Sequence, residues 1–358
     1  MKRPLSAFFF AAVLLVHSVA PAAQYYGTEL PFALGADART SGMGVAGASL
    51  LGTPSLQSHN PSTLTYLESK QFAFFRTTLF AAQSAYHAVS YAHPLLHHGT
   101  IGISVMRVDV GGIEKRDNTN QLLADDLKDS QTRVLLGYAR QIRSGLAAGL
   151  NLKVDKQSFA GYGGAGVGLD VGLVTRQKVR HKFFRGFRQA LVVQNLVEPV
   201  VKLDLERVSD PRSLTLGAAA VSAVGNVLMV TAIDVVRPRY SPLALRVGHE
   251  VLYSERYALR IGLDDNSATY GLGAKYRNLS FDYAYRSEDV GGNHRISLSV
   301  SFGRSRTERE ANATLEQESE ISAGDHRASA ETARDHGSPT AISIQPAPKT
   351  SQANVPGT

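Results

Sequence analysis

From Arg295 to Phe302 the chain reads RISLSVSF, with Ile296, Leu298, Val300 and Phe302 alternating with Arg295, Ser297, Ser299 and Ser301. Successive side chains of a strand point to opposite faces, so this period of two builds one apolar face and one polar face. The pattern recurs upstream. Fourteen candidate strands fall near 71–80, 84–93, 99–109, 132–140, 146–156, 165–175, 187–195, 212–222, 226–235, 243–250, 257–263, 267–275, 279–286 and 293–302. Stretches rich in turn formers, such as SAVGN at 222–226 and DDNS at 264–267, separate them.

The last five strands show which faces differ. One phase holds Leu243, Leu245, Val247 and Val251, then Tyr257, Leu259, Ile261 and Leu263, then Tyr270, Leu272 and Tyr276, then Leu279, Phe281, Tyr283 and Tyr285; His249 is its strongly polar member. The other phase holds Arg246, Glu250, Arg260, Lys275, Asp282, Arg286 and Arg295, with Gly248, Gly262, Gly271 and Gly273 among them. A soluble sandwich would also alternate, but its polar faces meet bulk water and carry more Lys and Glu than Gly. An apolar outside with a polar, glycine-rich inside predicts an all-β fold: a fourteen-stranded antiparallel transmembrane β-barrel whose lumen has room for a plug or a ligand. Connections at 110–131, 157–164 and 196–211 follow odd strands and are long, while most of those after even strands are tight, the asymmetry of outer-membrane barrels. The aromatic end at Phe302 falls where such barrels carry the signal read by the barrel assembly machinery.

The flanks of this region read differently. The chain of 358 residues opens with Lys2 and Arg3, an apolar run of about a dozen residues and Ala20-Pro21-Ala22, the layout of a secretory signal peptide over 1–22. Residues 23–70, rich in Gly, Ala and Ser, keep neither period and predict compact irregular structure that needs a wall to lie against. Residues 71–302 form the barrel. Residues 303–358 have few aliphatics and predict a disordered periplasmic tail. The absence of cysteine excludes a disulfide framework and an amino-terminal lipid anchor on Cys. The formal charge of +7 is scattered apart from Arg176–Arg188, so a nucleic-acid partner is not expected. Outer-membrane lipids are.

Two stretches carry a family resemblance. LGADARTSGMGVAGASLLGTPSLQSHNPSTL at 34–64, with Gly42-Met43-Gly44 and Asn60-Pro61, resembles the amino-terminal hatch of FadL-like outer-membrane proteins. The closing text from Tyr257 to Phe302 resembles the last strands of the PorV/PorQ branch. The resemblance covers roughly residues 28–302 and implies a hatch inside the barrel, uptake of long-chain fatty acids or other hydrophobic molecules, and lateral exit through a gap at a kinked third strand. For the PorV branch it implies docking of exported proteins beside the type IX secretion apparatus. Family hatches read Asn-Pro-Ala, and Ser62 stands in place of the alanine.

The third strand bears on that exit. Its apolar phase runs Ile101, Ile103, Val105, then shifts to Met106, Val108 and Val110, so an unbroken strand turns Arg107 and Asp109 outward. Arg at mid-membrane costs about 2–4 kcal/mol, so either a bulge lies near Val105-Met106 or the strand has already left the bilayer by Arg107. Among the inner charges, Arg246, Arg260 and Lys275 are candidates to receive a fatty-acid carboxylate; alternatively they pair with Glu250 and Asp282 and pin the hatch. GYGGAG at 161–166 satisfies G-x-G-x-x-G, but a strand rather than a helix follows it, so no nucleotide cofactor is expected. His93, His97 and His98 lack a fitting carboxylate or Cys for a metal, and no nucleophile motif points to an enzyme.

Overall fold

The computed structural model describes residues 31–79, 84–204, 206–265, 267–287 and 292–305. The signal peptide expected at 1–22, the first part of the segment 23–70 and nearly all of the expected tail at 303–358 lie outside the described residues.

Among the described residues sixteen strands follow one another: β1 (Lys70–Leu79), β2 (Ser84–Leu95), β3 (Gly99–Arg116), β4 (Leu122–Arg143), β5 (Leu146–Phe159), β6 (Tyr162–Lys178), β7 (Phe184–Val197), β8 (Val200–Leu203), β9 (Glu206–Ser209), β10 (Ser213–Val224), β11 (Val227–Pro238), β12 (Ala244–Tyr253), β13 (Tyr257–Asp264), β14 (Ser267–Tyr276), β15 (Leu279–Arg286) and β16 (Asn293–Phe302). Fourteen close into an antiparallel barrel in which β1 pairs with β16; β8 and β9 form a separate two-stranded hairpin. Closure leaves no open edge, the condition for a sheet to cross lipid.

The alternation does what its pattern requires. Tyr257, Leu259, Ile261, Tyr270, Leu272 and Phe281 face outward and are exposed, whereas Glu250, Arg260 and Arg295 face the lumen and are buried. Cross-strand pairing stacks the outward residues in rows. Phe72, Tyr91, Ile103, Leu136 and Leu152 make one row, and Phe74, Val89, Val105, Val134 and Val154 make the next.

The third strand decides between the two readings left open for it. The pairing of β3 with β2 and with β4 is unbroken through Val105, Met106, Arg107 and Asp109, and the first register shift comes only after Val110. No bulge lies at Val105-Met106. The reason is on both faces of the strand: Met106 and Val108 point inward onto a buried apolar cluster with Phe32, Phe75 and Tyr86. Arg107 and Asp109 point outward just beyond the last apolar row, and the Arg107 Nε and Asp109 Oδ2 atoms lie 2.8 Å apart. The change of apolar phase marks the start of plug contact rather than a kink.

Two of the expected long loops are strands. β3 and β4 run on past the apolar rows as a hairpin closed at 117–121, and β5 and β6 meet at a turn of two residues, Ala160-Gly161. The asymmetry between the two rims holds in a different form: one rim has projecting hairpins, the other short turns.

Candidate functional site

Residues 32–67 lie inside the barrel, most of them buried. A single turn of helix, α1 (Ala38–Ser41), is capped by Asp37, whose Oδ1 accepts from the Arg39 N–H at 2.8 Å. Gly42 closes that turn, and Gly44 adopts φ +59, a conformation that costs a side-chain-bearing residue. Met43 is fully buried and packs with Leu50, Leu56, Ala219, Val230 and Ala232. A second anchor begins at Asn60. Its side chain accepts from the Ser62 N–H at 3.0 Å and the Ser62 hydroxyl at 2.6 Å, and donates to the Ala48 carbonyl at 2.8 Å. Pro61 then opens the 3₁₀ turn Pro61–Tyr66, its fixed φ suited to a first helical position. Ser62, in the place of the family's alanine, therefore adds a hydrogen bond.

The wall accommodates this segment by omitting side chains. A Cβ on Gly149 would lie 2.5 Å from the Ser62 nitrogen, and one on Gly262 would overlap the backbone of Met43 and Gly44. Gly172, Gly248 and Gly271 meet Asn60, Met43 and Gly42 in the same way. The lumen glycines seat the plug.

Charge fixes its orientation. Arg39 donates from Nε to Glu250 Oε1 at 2.8 Å and from Nη2 to Oε2 at 2.7 Å, a two-pronged pair between the plug and β12. Glu250 also accepts from Arg260 at 2.7 Å, and Arg260 reaches Asp282 at 2.7 Å. Burial, then the neighbouring Asp282, push the Asp37 carboxyl up to about 6, against the pull of Arg39. Burial, then Arg246, push the His59 imidazole down to about 3. That ring is clasped between Gly35 and Gly47.

The three sequence candidates for an anionic ligand separate. Arg246 is bonded to Asp264, which Arg286 also holds. Arg260 is committed to Glu250 and Asp282. Lys275 is exposed near the short-turn rim and makes no ion pair among the described residues. Lys275 and Arg260 share a cavity of about 230 Å³ between plug and wall at that rim, with Asp37, Arg39, Glu250 and Asp282. Arg260 therefore joins the network that pins the plug, whereas Arg246 pairs within the wall. Sequence reasoning passed over Arg39, Asp37 and His59; the available signal was an Asp-x-Arg step in a segment expected to meet a charged wall.

At the opposite rim the β8–β9 hairpin lies over the mouth. Lys202 and Val200 rest against Gly164 and Gly166 of the GYGGAG stretch, which is strand rather than free loop. Arg133 ties the hairpin down, with Asp155 at 2.7 Å on one side and Asp210 at 2.6 Å on the other, and its guanidinium sits 4.7 Å over the Phe32 ring. Phe32, Pro199, Val201 and Val208 line a cleft there of about 30 Å³, enough for a water or two. Just behind it the β6–β7 ladder is interrupted after Leu169, and Asn195, at φ +54, donates its N–H to the Asp170 carboxylate at 2.8 Å instead. Lys153 bridges Asp170 at 2.9 Å and the Asn195 side chain at 2.5 Å. Phe302 faces outward and stacks at 6.2 Å on Tyr91, at the short-turn rim.

No protein-family model and no curated protein matches the sequence. Among solved structures, the CymD monoaromatic hydrocarbon channel is 13% identical with a TM-score of 0.52, over 76% of this chain and 98% of that one. The toluene transporter TodX of Pseudomonas putida is 14% identical with a TM-score of 0.50, over 73% and 96%. A FadL homologue of Pseudomonas aeruginosa is 9% identical with a TM-score of 0.50, over 75% and 99%. At such identities the likeness is one of fold, and it spans nearly the full length of each of these channels. The chain has the fold of the FadL-like outer-membrane barrels.

Proposed function

We propose that this barrel carries hydrophobic small molecules inward across the outer membrane, long-chain fatty acids first among them, by passive movement past the plug. The observation that carries the reading is that the plug separates two recesses, the apolar cleft under β8–β9 and the cavity beside Arg260 and Lys275. Both are smaller than the roughly 300–1,000 Å³ of small-molecule sites, as a closed state requires. No disulfide holds the plug; glycine contacts and the Arg39–Glu250 pair do. With the short-turn rim in the periplasm, the ligand enters under the hairpin, the plug shifts around Gly42–Gly44 and Asn60-Pro61, and Lys275 stands free to meet a carboxylate. A lateral exit at the interrupted β6–β7 ladder, where Lys153, Asp170 and Asn195 bridge the wall in place of backbone bonds, lies beside the entry and is the alternative route, one that bypasses the plug and Lys275. The hydrocarbon and toluene channels of like fold are consistent with an apolar cargo.

The test is uptake by proteoliposomes of labelled oleate and of labelled toluene, with extraction and mass spectrometry of the purified protein. Faster entry of oleate than in empty vesicles supports the reading; entry of toluene alone changes the cargo; entry of neither overturns it.

One observation favours a second reading, docking of exported proteins. The β3–β4 extension projects Leu122 and Leu123, the latter 57% exposed, beyond the barrel. A partner held there would cross-link to a photoreactive residue at position 123, and the organism would encode a type IX apparatus.

A further inference from the structure

The outer wall of β1–β5 carries one row unlike the apolar rows beside it. Pairing places Arg76 opposite His87, His87 opposite Arg107, Arg107 opposite Thr132, and Thr132 opposite Lys156. All five lie on the outward phase. The neighbouring row toward the short-turn rim, from Phe74 to Val154, is apolar throughout, and the row on the other side, with Thr78, Ala85, Asp109, Ser130 and Ser158, is polar except at Ala85. The wall thus passes from apolar to polar within one residue pair, at a line of basic side chains.

Strands lie about 4.8 Å apart, so Arg76, His87 and Arg107 fall within about 10 Å along that line. Arg76 is exposed and makes no ion pair among the described residues. Arg107 pairs with Asp109, but both are about half exposed, and such a pair yields readily to a stronger acceptor. Lys156 adds a third full charge two strands further on. The opposite wall is different: Arg237 on β11 stands outward opposite Leu214, without a basic neighbour across the pair.

We propose that the row Arg76–His87–Arg107–Lys156 binds the phosphate groups of an anionic lipid of the outer leaflet, acyl chains lying on the Phe74–Val154 row. Charge and position both select this occupant. Cations at the edge of an apolar band meet headgroups, guanidinium forks match phosphate, and the apolar rows directly beneath offer the chains a surface. The inference rests on the membrane placement of the barrel and not on transport.

The experiment uses the full chain, folded and delipidated in a non-ionic detergent, with diphosphoryl lipid A as probe and phosphatidylcholine as reference, read by native mass spectrometry. The wild type should retain diphosphoryl lipid A in preference to phosphatidylcholine. Arg76→Gln with Arg107→Gln should lower that retention roughly thirtyfold, at about 1 kcal/mol per arginine. Arg237→Gln should leave it unchanged. Equal retention of the two lipids, or retention insensitive to the double substitution in a protein whose melting is unaltered, would overturn the proposal. The measurement involves no uptake, so its failure and that of the transport reading are separable.

Discussion

The Arg39 guanidinium and the Glu250 carboxylate meet through two hydrogen bonds, of 2.8 and 2.7 Å, across 211 residues of chain. Glu250 is fully buried and shared with Arg260, so the pair joins plug and wall at a carboxylate that cannot turn to water, while Arg39 keeps 18% of its side chain exposed. Removing one side of such a pair leaves a buried charge uncompensated and costs about 3–5 kcal/mol. Glu250→Gln should therefore raise hydrogen exchange over residues 36–66 by orders of magnitude while strands away from β12 and β13 stay protected. Arg39→Met combined with Glu250→Met should recover part of the protection, though Arg260 then keeps Asp282 and the Leu272 carbonyl without Glu250. Equal exchange in wild type and Glu250→Gln would show that the pair does not hold the plug.

The close approach of Gly262 to Gly44 makes a sharper demand. A methyl at Gly262 would fall on the backbone nitrogen of Gly44, which no rotamer can relieve. Overpacking of this kind costs about 1–3 kcal/mol or more. Gly262→Ala should lower the thermal midpoint and expose the plug to protease, whereas Gly111→Ala, where a Cβ meets nothing within 4 Å, should do neither. Comparable melting of the two variants would mean that the plug does not occupy this seat in the membrane.

How far the sequence announces this structure depends on what each residue faces. The strands at 257–263, 279–286 and 293–302 are readable because lipid on one side and a packed lumen on the other impose a strict period of two. The third strand stays ambiguous at Val105-Met106 because its inner face changes from polar to apolar where the plug cluster of Phe32, Phe75 and Tyr86 begins, and alternation cannot distinguish apolar plug from lipid. The extensions of β3 and β4 are hidden for the opposite reason: beyond the bilayer neither face is buried, so Gly111, Gly112 and the charges around Asp126 carry no pattern. Among the inner cations the choice between pinning and ligand binding depended on Arg39 and Asp264, partners that no spacing along the chain reveals.

Two buried groups of the plug give opposite pH responses. His59 is held down near 3 against an ordinary value of 6.5, so its contribution to stability is complete above 6.5 and is lost as pH falls toward 3. Asp37 is held up near 6 against 3.8, so its contribution is complete below 3.8 and is lost as pH rises through 6. Going from pH 7.5 to pH 5, the first loses about 2 kcal/mol and the second gains about 1 kcal/mol, at 1.36 kcal/mol per unit. Relative to wild type, His59→Leu should therefore gain plug protection in hydrogen exchange at pH 5 over pH 7.5, and Asp37→Asn should lose it. Parallel pH profiles for all three proteins would show that neither group titrates within the plug.

The β8–β9 hairpin provides a test of gating that also separates the two functional readings. Asp210 and Asp155 share Arg133, so Asp210→Asn weakens the hold on the hairpin while Asp155 still neutralises the arginine. No buried charge is orphaned, and the loss should be confined to one charged hydrogen bond of about 1.5–3 kcal/mol. The chain has no cysteine, so Val201→Cys, at a side chain that is 7% exposed under the hairpin, is a clean reporter. Maleimide labelling at position 201 should quicken by at least about tenfold when Asp210→Asn is added. If the hairpin covers the entry to a transport path, oleate uptake should rise in parallel with labelling. Faster labelling with unchanged uptake would remove the hairpin from the path and favour the docking surface on the β3–β4 extension, while unchanged labelling would mean that Asp155 and the Gly164–Gly166 seat hold the hairpin without Asp210.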